Sequence, residues 1–156
     1  MGKALVYSLV ESSNTLTLET TTELGKNMTY SYAKKGECAD VRIEWNPNNN
    51  KGGYSQAVDG GLTRERPAFI GLSHELGHAF DIMILKNWGA EDWYKKGIKR
   101  SEIIAGDIEN AIRYEHNISP RLYYGYNEKQ GKYNTSNLNY YLTLATCILG
   151  AISQNR

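Results

Sequence analysis

The chain has 156 residues, two-fifths of them hydrophobic, which is enough for a single domain, residues 1–156, around one core. Its 18 basic and 17 acidic side chains nearly cancel, so neither a phosphate-seeking surface nor a polybasic membrane patch is expected, and no nucleic-acid partner. The two cysteines, Cys38 and Cys147, form no CxxC pair, which argues against a zinc knuckle or a disulfide framework and for reduced thiols.

In chain order, MGKALVYSLVE carries one lysine and a short apolar run broken by Glu11, without a small-residue cleavage pattern, so no cleavable signal peptide is expected. LVYSLV, TLTLET, MTYSYA and ADVRIEW alternate as strands do, and in the last of them Val41, Ile43 and Trp45 share one face opposite Arg42 and Glu44. They predict a small, mostly antiparallel N-terminal sheet, with a hairpin turn at Glu23 to Asn27 and a loop at Asn46 to Ser55. ADVRIEW is a candidate sheet edge on which an extended substrate would add a strand. After Arg66 the period changes. Pro67 suits a first helical turn, and Phe69, Ile70, His74, Gly77, His78 and Ile82 recur at steps of three and four. Beyond the loop NWGAEDW, and the basic run KKGIKR read as a solvated loop, SEIIAGDIENAIRYEHN predicts a second helix. Ser101 is its N-cap, Ile104, Ile108 and Ile112 its buried stripe, and Pro120 its stop. Arg121 to Asn139 reads as loops or a hairpin. The apolar run YYLTLATCILGAI is shorter than the roughly 20 residues a membrane helix needs and reads as a buried element, with no membrane partner.

The chemistry concentrates in HELGH. On a helix His74 and His78 lie one above the other, so both can offer a ring nitrogen to one ion. Zn2+ suits two neutral imidazoles plus a carboxylate with one position left for water, and Glu75 stands where it can act on that water as general base. Gly77 leaves room at the backbone, at a cost of about 1 kcal/mol in helix propensity. For the third ligand the second helix offers Glu102, Glu109 and His116, seven apart and so on one face. Glu102, 24 residues after His78, is the first choice. Glu109 is the second, or else the acceptor of a liganding histidine's other N–H. Asp81, one turn beyond His78, is held in reserve, and His116 reads as a helix-end histidine favoured by the dipole.

GLSHELGHAFD followed by SEIIAGDIENAIRYEHNISPRLYYG, with IEWNP and RPAFIGL upstream, resembles the NleC-like zinc metallopeptidases, bacterial effector proteases and C-terminal toxin domains of Rhs-type polymorphic toxins. The resemblance spans Ile43 to Gly125. Beyond the widely shared HExxH it rests on Glu102, Glu109, Asn110, Arg113, Arg121, Tyr123 and Tyr124. It implies an α+β, zincin-like fold, with the small sheet packed on the HExxH helix and a second ligand-bearing helix. His74 and His78 would be zinc ligands and Glu75 the base. Members known as aspartate zincins take a third ligand just beyond the second histidine; Asp81 here lies at a tighter spacing, so Glu102 stays the choice.

The expected activity is zinc-dependent peptide hydrolysis by a secreted or delivered effector or toxin domain, with Tyr123, Tyr124 or Arg121 as donors to the oxyanion. The expected partners are a protein substrate of a target cell and, for a toxin domain, an immunity protein. The alternatives are a non-catalytic zincin-like binding module, against which the intact Glu75 argues, and a zinc hydrolase of peptidoglycan peptides.

Overall fold

The computed structural model describes residues 1–23, 27–34, 36–56, 62–86, 93–94, 98–121, 123–127 and 132–135, and the backbone alone at 53–56, 62, 93–94, 98, 123–127 and 132–135. The described residues form an α+β fold in which three helices pack on a small sheet. None of these helices is long and apolar enough to cross a membrane.

The chain opens with helix α1, Gly2–Val10, where alternation predicted a strand. Leu5 and Leu9, four apart, are both buried, while Tyr7, which a strand would place on their face, is half exposed. The 3.6-residue period therefore wins. Strands β1 (Leu16–Thr20), β2 (Met28–Tyr30) and β3 (Val41–Trp45) form one sheet in the order β1-β3-β2. β2 runs antiparallel to β3, but β1 pairs with it parallel, Leu18 opposite Ile43. The hairpin expected between TLTLET and MTYSYA is thus replaced by insertion of β3 between them; its turn at 24–26 lies outside the described residues. β3 takes the centre because Val41 and Ile43 are its most apolar inward pair, 2% and 0% exposed. ADVRIEW is consequently no edge, since both its sides are paired, and β1 and β2 are the edges of this sheet among the described residues.

The expected loop at 46–55 runs into strand β4 (Lys51–Gln56), which pairs antiparallel with β5 (Leu62–Glu65). Helix α2, Ala68–Met83, follows with Pro67 at its N-cap, one residue outside the predicted first turn. After the short pair β6 (Trp93–Tyr94) and β7 (Ile98–Lys99) comes helix α3, Arg100–Glu115. Its N-cap is Lys99, and Ser101 lies inside the first turn with no capping bond. It also ends before Pro120. Asn117 takes a left-handed φ of 54°, its N–H bonds the Tyr114 carbonyl, and the Ile118 N–H reaches back to Arg113 at 2.8 Å, the pattern of a Schellman cap. β8 (Tyr123–Asn127) and β9 (Lys132–Thr135) pair antiparallel, so that of the two readings of the Tyr-rich segment, loops or a hairpin, the described residues fit the second. The C-terminal apolar run and Cys147 lie outside the described residues; Cys38 is a free thiol, its Sγ 3.1 Å from the Met83 carbonyl.

Val41 and Ile43 pack with Ile70, Phe80, Ile82 and Met83 of α2, and with Ile104, Ile108 and Ile112 of α3, the predicted stripe. Trp45 Nε1 donates to the Ala68 carbonyl at 3.1 Å and ties the central strand to the start of α2. The two long helices touch at Gly77, where a β-carbon would come within 2.8 Å of Ala105 Cα. Gly77→Ala is therefore expected to push the helices apart and lower stability by about 1–3 kcal/mol, read as a fall in the denaturation midpoint.

On α3, Asp107 is 2% exposed, and neither carboxylate oxygen has a hydrogen-bond partner among the described residues. Burial pushes its pKa up to about 8 from an ordinary 3.8. The folded chain then keeps a proton that the unfolded chain has released, so this group's contribution falls as pH rises from 3.8 to about 8. Asp107→Asn is expected to match wild type near pH 4 and to exceed it increasingly above, by up to about 1.4 kcal/mol per unit. Thermal denaturation of both proteins across that range measures the difference.

Candidate metal centre

HELGH occupies the middle of α2, where helical spacing sets His74, His78 and Glu75 on adjacent parts of one face. Helix α3 crosses that face. Glu102 is three residues before Ala105, the residue against Gly77, and Glu109 four after it, so both carboxylates project toward α2.

The three predicted donors converge. Glu102 Oε2 stands 3.2 Å from His74 Nε2 and 3.4 Å from His78 Nε2, and one donor atom from each residue lies within 4.8 Å of the others. Two donors each about 2.0–2.1 Å from a tetrahedral ion stand about 3.3 Å apart, so these separations suit a small cation with mixed nitrogen and oxygen ligands. The imidazole planes meet nearly at right angles, at 87°, with ring centroids 4.9 Å apart.

Glu109 lies outside the donor cluster and meets the other edge of His74. Its Oε2 lies 3.1 Å from His74 Nδ1, the ring nitrogen turned away from the donor cluster. Arg113 Nε donates to Oε1 at 2.9 Å and Arg121 Nη1 to Oε2 at 3.1 Å. Both Glu109 and Arg113 are buried, the latter at 0% exposure. Burial works to raise the Glu109 pKa, but His74 and the two guanidiniums outweigh it and hold the carboxyl far below the usual range. Glu102, likewise opposed by burial, is held low by its bonds to His74 and His78. His74 is raised to about 9: burial disfavours its charged form, yet Glu102 and Glu109 bracket the ring and prevail. An ion at Nε2 would replace the proton there, while Glu109 keeps the Nδ1 proton and so fixes the tautomer that presents Nε2.

Glu75 is buried, with Thr29 Oγ1 2.8 Å from its Oε2 and 3.2 Å from its carbonyl oxygen. The sequence reading missed Thr29. Its only trace there was alternation in β2, which sets Thr29 opposite to Met28 and Tyr30. Arg121 was a candidate oxyanion donor, but it is engaged elsewhere: besides Glu109, its N–H donates to Asn110 Oδ1 at 2.7 Å and its carbonyl accepts from Asn110 Nδ2 at 3.1 Å. Asp81 is buried outside the donor cluster. His116 caps α3 and packs on Phe69, ring centroids 4.8 Å apart. Tyr123 and Tyr124 open β8, and their side chains lie outside what is described.

Residues 1–105 match a family model, Peptidase_M91, described as effector protein. That span includes His74, Glu75, His78 and Glu102 and ends short of Glu109. The match carries the effector-peptidase level of the resemblance drawn from the motif, and the narrower NleC-like grouping remains an expectation. No curated protein and no solved structure matches.

Glu109→Ala would leave Arg113 buried without its carboxylate and His74 without its Nδ1 acceptor. A loss of about 3–5 kcal/mol of stability is expected. Affinity of the cluster for a divalent cation is expected to fall roughly 10–100-fold, the separate effect of freeing the His74 ring. Chemical denaturation of the metal-free protein and a competitive chelator titration read the two effects independently.

Proposed function

The chain belongs to the Peptidase_M91 family of effector proteins, and from that premise we propose that it is a zinc-dependent endopeptidase with His74, His78 and Glu102 as ligands and Glu75 as general base. The observation that carries this reading is the convergence of two imidazole nitrogens and one carboxylate oxygen beside a buried glutamate that is not among the donors. When bound, zinc supplies Lewis acidity toward water and toward the scissile carbonyl. The chain's own residues do the rest. Glu75 accepts the proton of the attacking water and passes it to the leaving amine, while Thr29 holds Oε2 so that the carboxylate presents its other oxygen. Glu109 keeps His74 in the orienting tautomer, and Arg113 and Arg121 balance its charge.

Tyr123 and Tyr124 are the proposed donors to the oxyanion. Their strand begins two residues after Arg121, which is itself bound to Glu109. The effector family suggests delivery into a target cell, with a protein there as substrate. An NleC-like placement, and in a toxin domain an immunity protein over the cleft, belong to the same reading.

Mass spectrometry of native protein is expected to find one zinc per chain, lost or weakened in Glu102→Ala. Glu75→Gln is expected to keep the metal and lose at least about a hundredfold in turnover of a general protein substrate. Thr29→Val should retain zinc and cut turnover about fivefold, the worth of roughly 1 kcal/mol of hydrogen bonding. Stoichiometric zinc missing from wild type, or full activity in Glu75→Gln, defeats the assignment. Chelator-sensitive release of peptidoglycan fragments in place of protein cleavage would move the substrate class and leave the site as drawn.

A further inference from the structure

Arg66 follows β5 directly and immediately precedes the N-cap of α2. Its guanidinium is threaded between two glycines. A β-carbon at Gly52 would fall 1.9 Å from Nε, and one at Gly71 would fall 2.2 Å from Nη1. Room has thus been kept on both sides for this one side chain. Yet the group so carefully housed has no anion of its own among the described residues. Nη1 is buried with no hydrogen-bond partner among the described residues. The nearest polar atom at the Gly71 end is Asn27 Nδ2, a second donor, also buried and without a partner, because the Asn27 oxygen is committed to the Asn46 N–H. Glu75 and Glu109 act on Arg66 through space, opposed by Arg113 and Arg121, and no described carboxylate bonds it. Burial outweighs them and lowers its pKa, as befits a cation lacking its counter-ion.

The placement gives this charge a use. Gly71 is four residues before Glu75 and seven before His78, so it lies on the donor-bearing face of α2, roughly 7.5 Å along the axis from the midpoint of the two histidines. An extended peptide covers that distance in about two residues. Arg66, half-buried, also lines an open groove with Asn50, Lys51, Glu65 and Pro67, so that its side chain is reached from solvent although Nη1 itself is buried.

We propose that Arg66, backed by Asn27 and flanked by Lys51, is a substrate-recognition residue that takes the carboxylate of an acidic side chain about two residues from the scissile bond. The inference rests on the peptidase reading, so its test has one arm that does not need turnover. In the first arm, the zinc-loaded protein digests a peptide library prepared from a proteome by cleavage after lysine, and mass spectrometry reads the residues around each new cut. Asp or Glu is expected to be enriched within three positions of the cut, and Arg66→Gln is expected to lower that enrichment at least tenfold. In the second arm, Glu75→Gln protein is bound to arrayed peptides carrying Asp and Glu, or Asn and Gln at the same positions. Retention is expected to favour the acidic set at least tenfold and to lose that preference when Arg66→Gln is added. Arg66→Lys should recover part of it. Should Arg66→Gln fail to fold, Asn27→Ala and Lys51→Gln carry the same comparison with smaller drops.

Equal retention of acidic and amide peptides, or none of either, overturns the proposal and leaves the two donors holding an internal water. Acid-dependent retention by a protein that cuts nothing sinks the peptidase reading and leaves the Arg66 site standing.

Discussion

The bare α-carbon of Gly77 against Ala105 is the contact on which the rest of the site depends. With the backbones of α2 and α3 that close, side chains one turn to either side of the crossing can reach the opposite helix without stretching. Glu102 and Glu109 are those side chains, and they meet the two edges of one imidazole, that of His74. The glycine is costly in helix propensity and is kept because no other residue permits the approach.

A close crossing of this kind would otherwise bury uncompensated charge. Glu109 sits almost wholly out of water and would be untenable alone, but Arg113, Arg121 and His74 each bond it. Arg121 is in turn clasped through its backbone by Asn110, and Arg113 reaches the Ser119 carbonyl. The network thereby fastens the segment after α3 to the face that bears the histidines. It is a supporting layer built on the same helix as Glu102, and its partners are charged where the neighbouring core is aliphatic.

What could be read from the sequence divides by range. The α2 helix, its histidine pair, the isoleucine stripe of α3 and the choice of Glu102 all rest on spacing within a helix or between two helices joined by a loop; the stripe is buried, and His74, His78 and Glu102 come together as a group. The sheet order does not follow from local pattern. Alternation identifies TLTLET and ADVRIEW as strands but cannot say that they pair parallel with β2 excluded from between them, because that is settled by which strand buries Val41 and Ile43 best. LVYSLV satisfies both periods over six residues, and only the exposure of Tyr7 separates them. The parts played by Thr29 and Arg66 could not be read from MTYSYA or RPAFIGL for a further reason. Each matters because a distant element, α2 with Glu75 in one case and the glycines Gly52 and Gly71 in the other, is folded against it.

The bracketing of His74 has a consequence for how the domain relates to its ion. In small metal-dependent domains the ligands are scattered until the cation gathers them, so that removing it undoes the fold. Here the imidazole is already clamped on both edges by carboxylates of the same chain, and the helices carrying them are fixed by an aliphatic core. The spacing of His74, His78 and Glu102 is thus set by the way α2 packs on α3, a packing that the aliphatic core supplies. The polypeptide is shaped by its core, and the proposed ion would meet donors whose spacing the helix crossing dictates.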